Sequence, residues 1–341
     1  MVNKMNLKSL FLFLLFLCLN FNIAIANTKT SSIKQRQYIA CGISQDHKSL
    51  AYKKNGQWHG FDADICRAIA SAFLDNPERF KLIPVSRNNI GKALNSGQID
   101  IMLGNSSLSS SEEVSLYVTP VDTLYYDRQI FAAREKRTAQ SMRDFEGSKV
   151  CVMRDSTASI FLDEYNQKHA LGFKILQMPS LISLKEAFYT NRCELISDSE
   201  IYLKHIISDV KTSNPAEILP EEIAYIPIKA YTAGNNPNLN IAMRWIINAL
   251  KLADTANITS QNITTFLASK NPSVQNLLGI EPKTWQKLRL EPEWVQNYIP
   301  IFGNYQQILD RNIGASSELN IDIKHNNMIE KGGFLISQPF I

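Results

Sequence analysis

Polar side chains follow three predicted strands, each at the point where an apolar run ends. The run "IDIML" leads into a stretch rich in Ser and Asn, "KVCVM" leads into "RDST", and "CELI" leads into "SDSE". Hydroxyl, amide and charged groups of this kind recognise small polar molecules through hydrogen bonds and ion pairs. The candidate ligand-binding residues are Asn105, Ser106, Ser107, Glu112, Arg154, Asp155, Ser156, Thr157, Asp198 and Ser199, together with Trp58 in the turn "NGQWHG", which is either a ligand platform or a packing residue.

Glu112 has a second interpretation that needs no ligand. Ser109 and Glu112 fit the capping box S-x-x-E, in which the serine is the N-cap of a helix and the glutamate reaches back from position N3. Glu112 is therefore either a helix cap or a ligand-facing carboxylate. Asp155 and Ser156 are likewise candidate N-caps for a helix that begins at Thr157.

The titratable residues form no pattern typical of an enzyme or a metal centre. The five histidines are scattered along the sequence, and the cysteines lack the C-x-x-C spacing of a zinc site. We therefore expect no metal and no cofactor. A catalytic role would have to use Glu112 or Asp155 as the acid or base.

The N-terminus predicts export. Lys4 and Lys8 precede the apolar run "LFLFLLFLCL", and Ala24 and Ala26 form an A-x-A cleavage site. The apolar run is shorter than the ~20 residues of a membrane span. We predict a signal peptide over residues 1–26, cleavage after Ala26 and a periplasmic mature protein.

The composition describes a globular protein of nearly balanced charge. The chain has 341 residues, 45% of them hydrophobic, and a formal net charge of +4. Both charged residues in the signal peptide are lysines, so the mature chain carries +2, which gives no electrostatic case for a nucleic-acid partner. A chain of this length favours two domains.

Strand-like and helix-like runs alternate from "YIACGIS" to "IDIMLGN", and a similar series recurs from "KVCVMRD" to "CELISDS". Twelve residues after Ala93 lies Asn105, and twelve residues after Ala187 lies Ser199, so the polar residues hold equivalent places in the two series. The alternation predicts parallel sheets built from βαβ units. If the two lobes face each other, the carboxyl ends of their strands border one cleft, where such sheets bind ligands.

Two segments are predicted to cross between the lobes, Tyr125–Glu135 and Tyr225–Tyr231. Neither is rich in Gly or Ser, so the pair predicts a hinge rather than a flexible linker. The predicted boundaries are 27–130 for the first part of lobe one, 131–228 for lobe two, and 229–341 for the return to lobe one and the C-terminal helices.

Four cysteines remain after signal cleavage: Cys41, Cys66, Cys151 and Cys193. An even number in an exported protein predicts two disulfides. Two pairs can form in three ways, and the count alone does not choose between them.

Several stretches, in order along the mature chain, carry a family resemblance: "CGIS", "GFDADICRAIA", "LNSGQIDIMLGN", "YYDRQIF", "GSKVCVM", "NRCELIS" and "GNYQQILDRNIG". They resemble periplasmic amino-acid-binding proteins of ABC importers, specifically the general L-amino-acid type of solute-binding protein family 3. The resemblance implies an α/β, two-lobed Venus-flytrap fold in which each lobe is a mostly parallel sheet flanked by helices. It also implies the disulfide pairs Cys41–Cys66 and Cys151–Cys193.

The ligand residues depart from the family pattern. Where the family usually has an arginine that grips the ligand's α-carboxylate, this chain has Glu112. Asp155-Ser156-Thr157 stands in place of Gly-Thr-Thr, and Ser199, preceded by Asp198, stands in place of the aspartate that holds the α-amino group.

The exchange of arginine for glutamate has a large expected cost for an ordinary amino-acid ligand. A charge-assisted hydrogen bond contributes about 1.5–3 kcal/mol, and a carboxylate in its place repels another by up to ~4 kcal/mol at an effective dielectric of ~20. We therefore do not expect tight binding in the family's usual pose. Three alternatives stay open: Arg154 anchors the carboxylate, Asn105, Ser106 and Ser107 hold a neutral group, or a cationic ligand is received by Glu112, Asp155 and Asp198.

We predict a monomeric periplasmic binding protein that closes on an amino acid or related amine and delivers it to an ABC permease in the inner membrane. Two alternatives are a degenerate scaffold that binds a protein or sensor partner, and a periplasmic dehydratase on the same fold.

Overall fold

A computed structural model describes residues 29–44, 50–104, 107–134, 141–154, 156–208 and 216–340. The predicted signal peptide and three candidate site residues, Asn105, Ser106 and Asp155, lie outside these ranges. Within the described ranges, no helix has the length and apolar character needed to span a bilayer.

Eight of the ten strands in the described chain form one sheet, in the order β4-β1-β5-β10-β6-β9-β7-β8. β1 pairs in parallel with β4 and β5, and β7 pairs in parallel with β8 and β9. We call the β4-β1-β5 half the first lobe and the β9-β7-β8 half the second lobe. The strands are β1 (Ile39–Ser44), β2 (Tyr52–Lys54), β3 (Gln57–His59), β4 (Phe80–Val85), β5 (Ile101–Met102), β6 (Val118–Ala133), β7 (Lys149–Met153), β8 (Lys174–Met178), β9 (Leu195–Ser199) and β10 (Glu217–Ala233).

Helices flank both halves of the sheet. Those between or beside the strands are α1 (Lys29–Arg36), α2 (Phe61–Leu74), α3 (Ile90–Ser96), α4 (Ser110–Ser115), α5 (Thr157–His169), α6 (Leu181–Tyr189) and α7 (Glu200–Ser208). Those that follow β10 are α8 (Pro237–Thr255), α9 (Pro272–Leu277), α10 (Lys283–Lys287), α11 (Trp294–Phe302) and α12 (Tyr305–Asn312).

The two lobes are joined by the antiparallel pair β6 and β10, which run 16 and 17 residues. β6 begins beside the end of β10, where Val118 pairs with Ala233, and ends beside β9, where Ala133 pairs with Leu195. Each long strand therefore lies partly in both lobes, so bending of this pair moves one lobe relative to the other.

Asn326, in the C-terminal segment, holds the middle of β6. The backbone N–H of Tyr126 donates to Asn326 Oδ1 at 2.6 Å, and Asn326 Nδ2 donates to the Tyr126 carbonyl at 2.9 Å. These backbone groups of Tyr126 thus point away from β10. Pro227, the β10 residue opposite Tyr126, has no backbone N–H, and none is needed because the Tyr126 carbonyl accepts from Asn326 instead.

The lobes have separate apolar cores. In the first lobe Phe73 of α2 and Trp294 of α11 belong to one large buried cluster, which the helices after β10 complete. In the second lobe Phe188 and Leu203 are buried in one cluster and Leu162 in another.

Both disulfides are present. Cys41–Cys66 ties β1 to α2 in the first lobe, and Cys151–Cys193 ties β7 to the loop before β9 in the second. This is the pairing that the family resemblance implies, and each bond stays within one lobe.

Candidate functional site

A cavity of about 440 Å³ lies between the lobes, where β4, β7 and β8 end. Its described lining comprises Ser86, Arg87 and Asn88 after β4, Met153, Arg154 and Ser156 at the end of β7, and Pro179, Ser180 and Leu181 after β8. Carboxyl ends of parallel strands are where α/β sheets place ligands. The cavity is therefore the candidate solute site.

Glu112 is held in place by two sets of contacts. It completes the predicted capping box of α4, since its backbone N–H donates to Ser109 Oγ and its carboxylate accepts from the Ser109 N–H at 2.8 Å. The same carboxylate accepts two hydrogen bonds from Arg87, from Nε at 3.0 Å and from Nη2 at 2.9 Å. Glu112 thus completes the N-terminal cap of α4 and also forms a bidentate ion pair with Arg87.

These contacts keep Glu112 ionised. Partial burial acts to raise the pKa of Glu112, but the hydrogen bonds from Ser109 and the charge of Arg87 outweigh it, and the pKa lies below the usual value. The negative charge expected in place of the family arginine is therefore paired with a positive one.

Sequence reasoning missed Arg87 as a site residue. It precedes Glu112 by 25 residues and lies in a 3-10 helix (Arg87–Asn89) that leads into α3. Arg87 Nη2 also donates to the Ser107 carbonyl at 3.2 Å, which ties the loop after β4 to the loop before α4. No local motif in the sequence marks a contact of this span.

The residues after β7 combine a structural cap with an exposed cation. Ser156, one of the two candidate caps from the sequence, is the N-cap of α5: its Oγ accepts from the Ser159 N–H at 3.1 Å and donates to the Met153 carbonyl at 2.7 Å. Thr157 is the first residue of that helix. The Arg154 side chain is exposed and has no hydrogen-bond or ion-pair partner among the described residues.

Ser199 ends β9 and has a structural role. Its Oγ accepts from the Tyr202 N–H at 3.1 Å and hydrogen-bonds the carboxyl group of Asp127 on β6. Asp198 is 8% exposed, and its Oδ1 accepts from the Ser199 N–H at 2.7 Å. Burial raises the pKa of Asp198 to about 6. Neither residue lines the 440 Å³ cavity.

Asp127 is a second buried acid that sequence reasoning missed. It is 3% exposed, and burial raises its pKa to about 7, helped by the charges of Glu200 and Asp198. Its hydroxyl partner, Ser199 of β9, occupies the position at which the resemblance leads us to expect an aspartate. Asp127 therefore supplies a carboxyl group next to that position, from the neighbouring strand β6.

Trp58 lies on β3, half buried against the first-lobe core, with Lys53 Nζ 5.1 Å from its ring centroid. It does not line the cavity. Its ligand-platform role stays a prediction.

A second cavity of about 570 Å³ borders α7 and the C-terminal segment and is lined by Tyr52, Lys204 and Arg311 among others. It is larger, but the described loops that follow β4, β7 and β8 do not reach it. The smaller cavity is therefore kept as the candidate solute site. The described residues contain no group of three or more His, Cys, Asp or Glu arranged to hold a metal ion.

Comparison with known proteins decides the family. The family of bacterial extracellular solute-binding proteins, family 3, matches residues 39–297. The chain belongs to this family. The match confirms the family and, with the structural likeness below, the fold class expected from the sequence.

Family 3 relatives cover nearly the whole chain. The putative amino-acid ABC transporter-binding protein YhdW of Escherichia coli (strain K12) is 27% identical over 322 residues, 93% of this chain and 94% of that protein. The general L-amino acid-binding periplasmic protein AapJ of Rhizobium johnstonii is 29% identical over 320 residues, with the same coverage of 93% and 94%. A periplasmic binding protein structure from Brucella ovis with glutathione bound is 28% identical, with a TM-score of 0.82, covering 92% of this chain and 99% of that one.

Proposed function

We propose that this family 3 protein is the solute-binding component of an amino-acid-type ABC importer, and that it delivers a small polar solute to a permease in the inner membrane. The observation that supports this most directly is a cavity whose walls come from both lobes, from the end of β4 on one side and the ends of β7 and β8 on the other. A solute that contacts both walls binds the closed form more tightly than the open form. Binding therefore shifts the population toward closure.

We propose that the mature protein begins after cleavage at Ala26 and acts as a periplasmic monomer. Two oxidised cysteine pairs suit a compartment outside the cytosol, and the family is described as extracellular.

We propose that the chain passes between lobes near residues 130 and 228, which lie within β6 and β10. The lobe limits 27–130, 131–228 and 229–341 follow from this. Limited proteolysis of the disulfide-intact protein, with mass spectrometry, would test them, since exposed loops are cut before packed strands.

We propose that the cavity residues act together with the polar loops beside them. Ser107, whose carbonyl accepts from Arg87, brings its loop to the cavity edge. The neighbouring Asn105 and Ser106, and Asp155 beside Arg154, are the further ligand contacts that we propose.

We propose that the protein has no catalytic activity. Family 3 and the relatives named above are binding proteins, and Glu112, one of the two candidate acid–base groups, is ionised and bound to Arg87. Turnover of a prephenate-like substrate, lost in Glu112→Gln while the fold is kept, would contradict this.

The test of the proposed function is ligand-dependent closure of the mature chain, residues 27–341. Amino acids, their amides and esters, small peptides, polyamines and dicarboxylates would be screened by thermal unfolding. A solute at a hundredfold its Kd adds about 2.7 kcal/mol, or roughly 5–10 °C for lobes of this size. Each hit would then be measured by small-angle X-ray scattering.

We expect at least one solute that raises the Tm and lowers the radius of gyration. A protein that binds no solute in the panel by calorimetry, and keeps its radius of gyration throughout, would refute transport-type binding. It would favour a scaffold that recognises a partner protein.

A further inference from the structure

The described charged residues that line the solute cavity are both arginines. Its described lining contains two arginines, Arg87 from the first lobe and Arg154 from the second, and no carboxylate. Glu112 is not part of the described cavity lining, but it contacts Arg87, which is. Arg87 is paired with Glu112, whereas Arg154 has no partner among the described residues, so the described cavity wall favours an anion over a cation.

Arg87 is oriented before any ligand arrives. Its Nε and one terminal nitrogen, Nη2, are bound to Glu112, and Nη2 also donates to the Ser107 carbonyl. The other terminal nitrogen, Nη1, keeps two N–H groups, and the side chain is 36% exposed. A guanidinium fixed along one edge loses little side-chain entropy when the other edge binds a carboxylate.

Arg154 has a fixed backbone and an unused side chain. Its N–H donates to the Met178 carbonyl at 2.8 Å, which holds the residue between the ends of β7 and β8. Its guanidinium has no partner in the described part of the chain. The N-cap residues of α5 and α6, Ser156 and Ser180, also line the cavity, so the positive ends of two helices add to the potential of the arginines.

We propose that the solute carries two carboxylates, one bound by Arg87 and the other by Arg154. Arg87, through its remaining terminal nitrogen, and Arg154 line the cavity from opposite lobes, so a solute with two carboxylates can bridge the lobes by pairing with one arginine at each end. The two arginines thereby replace the single arginine that the family places at the position of Glu112. This inference rests on the proposed function, since it names the solute class for the same cavity.

A solute with two carboxylates is opposite in charge to the cationic ligand that Glu112, Asp155 and Asp198 suggested in the sequence. Glu112 is already neutralised by Arg87, and Asp198 does not line the cavity. Two of these three carboxylates, Glu112 and Asp198, are therefore paired or set apart from the described cavity wall.

The experiment is calorimetry of the mature protein with matched pairs of solutes. L-glutamate would be compared with L-glutamine, and glutathione with its diethyl ester, with L-arginine as the cationic probe, at 50 mM and 300 mM NaCl. We expect a diacid to bind at least tenfold more tightly than the partner that lacks one or both carboxylates, and its Kd to rise with salt.

Variants connect the effect to the two residues. Arg154→Ala should weaken diacid binding by roughly 10- to 100-fold, the range for loss of a charge-assisted hydrogen bond. Arg87→Ala should weaken it by more, because Glu112 is then left unpaired beside the ligand. Arg143→Ala, an exposed arginine of the second lobe outside the cavity, is the control and should bind as the wild type does. Circular dichroism confirms that each variant is folded.

Three results decide the matter. Tight diacid binding that Arg154→Ala weakens and Arg143→Ala does not would support the proposal. A neutral or cationic solute that binds and closes the protein, while diacids do not, would overturn it and leave the proposed function standing. No binding of any solute would mean that the proposed function fails, and this inference with it.

Discussion

The buried carboxyl group of Asp127 should make the protein less stable as the pH rises from about 4 to about 7. The carboxyl group is 3% exposed, and one of its oxygens, Oδ2, has no hydrogen-bond partner among the residues that the structure describes. Burial raises the pKa of Asp127 from 3.8 to about 7, with further increases from Glu200 and Asp198 and an opposing hydrogen bond from Ser199. The folded protein therefore keeps a proton that the unfolded chain releases.

The sign follows from proton linkage. Between about pH 4 and pH 7 the folded state binds more protons at Asp127 than the unfolded state, so the free energy of unfolding falls as the pH rises through this window. The stabilising protonation is fully present below pH 4 and lost above pH 7. A change in pKa from 3.8 to about 7 corresponds to about 4 kcal/mol at 1.36 kcal/mol per pKa unit.

The perturbation is Asp127→Asn, which keeps the size of the side chain and removes the titration. We expect the variant to match the wild type near pH 4 and to exceed it by up to about 4 kcal/mol at pH 8, or on the order of 10 °C in Tm. Urea unfolding at pH 4, 5, 6, 7 and 8 measures the difference. Asp163→Asn, which removes an exposed carboxyl on α5, is the control for loss of a carboxyl group outside the core.

Asp198 must be treated together with Asp127, because its charge raises the Asp127 pKa and its own pKa is raised to about 6. The double variant Asp127→Asn/Asp198→Asn separates the two titrations. Equal slopes of stability against pH in the wild type and in Asp127→Asn would mean that Asp127 is ionised in the folded protein, and the reasoning from burial would be wrong.

Three further perturbations test other parts of the fold. Lys251 is 2% exposed and pairs with Asp122 at 2.9 Å. Lys251→Ala should therefore lower the free energy of unfolding in urea by about 3–5 kcal/mol, and Lys251→Met/Asp122→Asn should recover most of that loss. No recovery in the double variant would argue against an unpaired charge as the cause. Asn326→Ala removes two hydrogen bonds from the middle of β6 and should lower the free energy of unfolding by about 1–3 kcal/mol. Hydrogen exchange at the Tyr126 amide should be faster in this variant but not in the control, Asn327→Ala. Unchanged exchange in Asn326→Ala would contradict the role given to Asn326. The two disulfides close loops of 25 and 42 residues. Reduction with dithiothreitol should lower the free energy of unfolding by about 3–4 kcal/mol for each bond, which is measured as a lower urea midpoint. An unchanged midpoint would mean that neither bond restrains the unfolded chain.

The sequence predicted the local structure well because local structure depends on residues close together in the chain. The S-x-x-E pattern marked the cap at Ser109 and Glu112, which the structure contains. Ser156 was identified as a candidate cap for the helix from Thr157 on the same grounds. In each case the hydrogen bonds span three or four residues, so the sequence states both partners.

The alternation of strands and helices also determined which residues follow the strands. It brought Arg154 and Ser156 to the candidate site, because a polar residue at the carboxyl end of a parallel strand borders the cleft whatever the details of packing. The sequence alone thus determined the fold class, the two-lobed plan and part of the cavity wall.

Only the tertiary structure decided the electrostatics of the site. The partner of Glu112 is 25 residues away at Arg87, and the strand neighbours Asp127 and Ser199 are brought together by the pairing of β6 with β9. The sequence suggested an excess of negative charge near Glu112, and the fold cancels that charge with an arginine from another loop. Coulomb energy depends on distance and burial, and a sequence gives neither until the path of the chain is known.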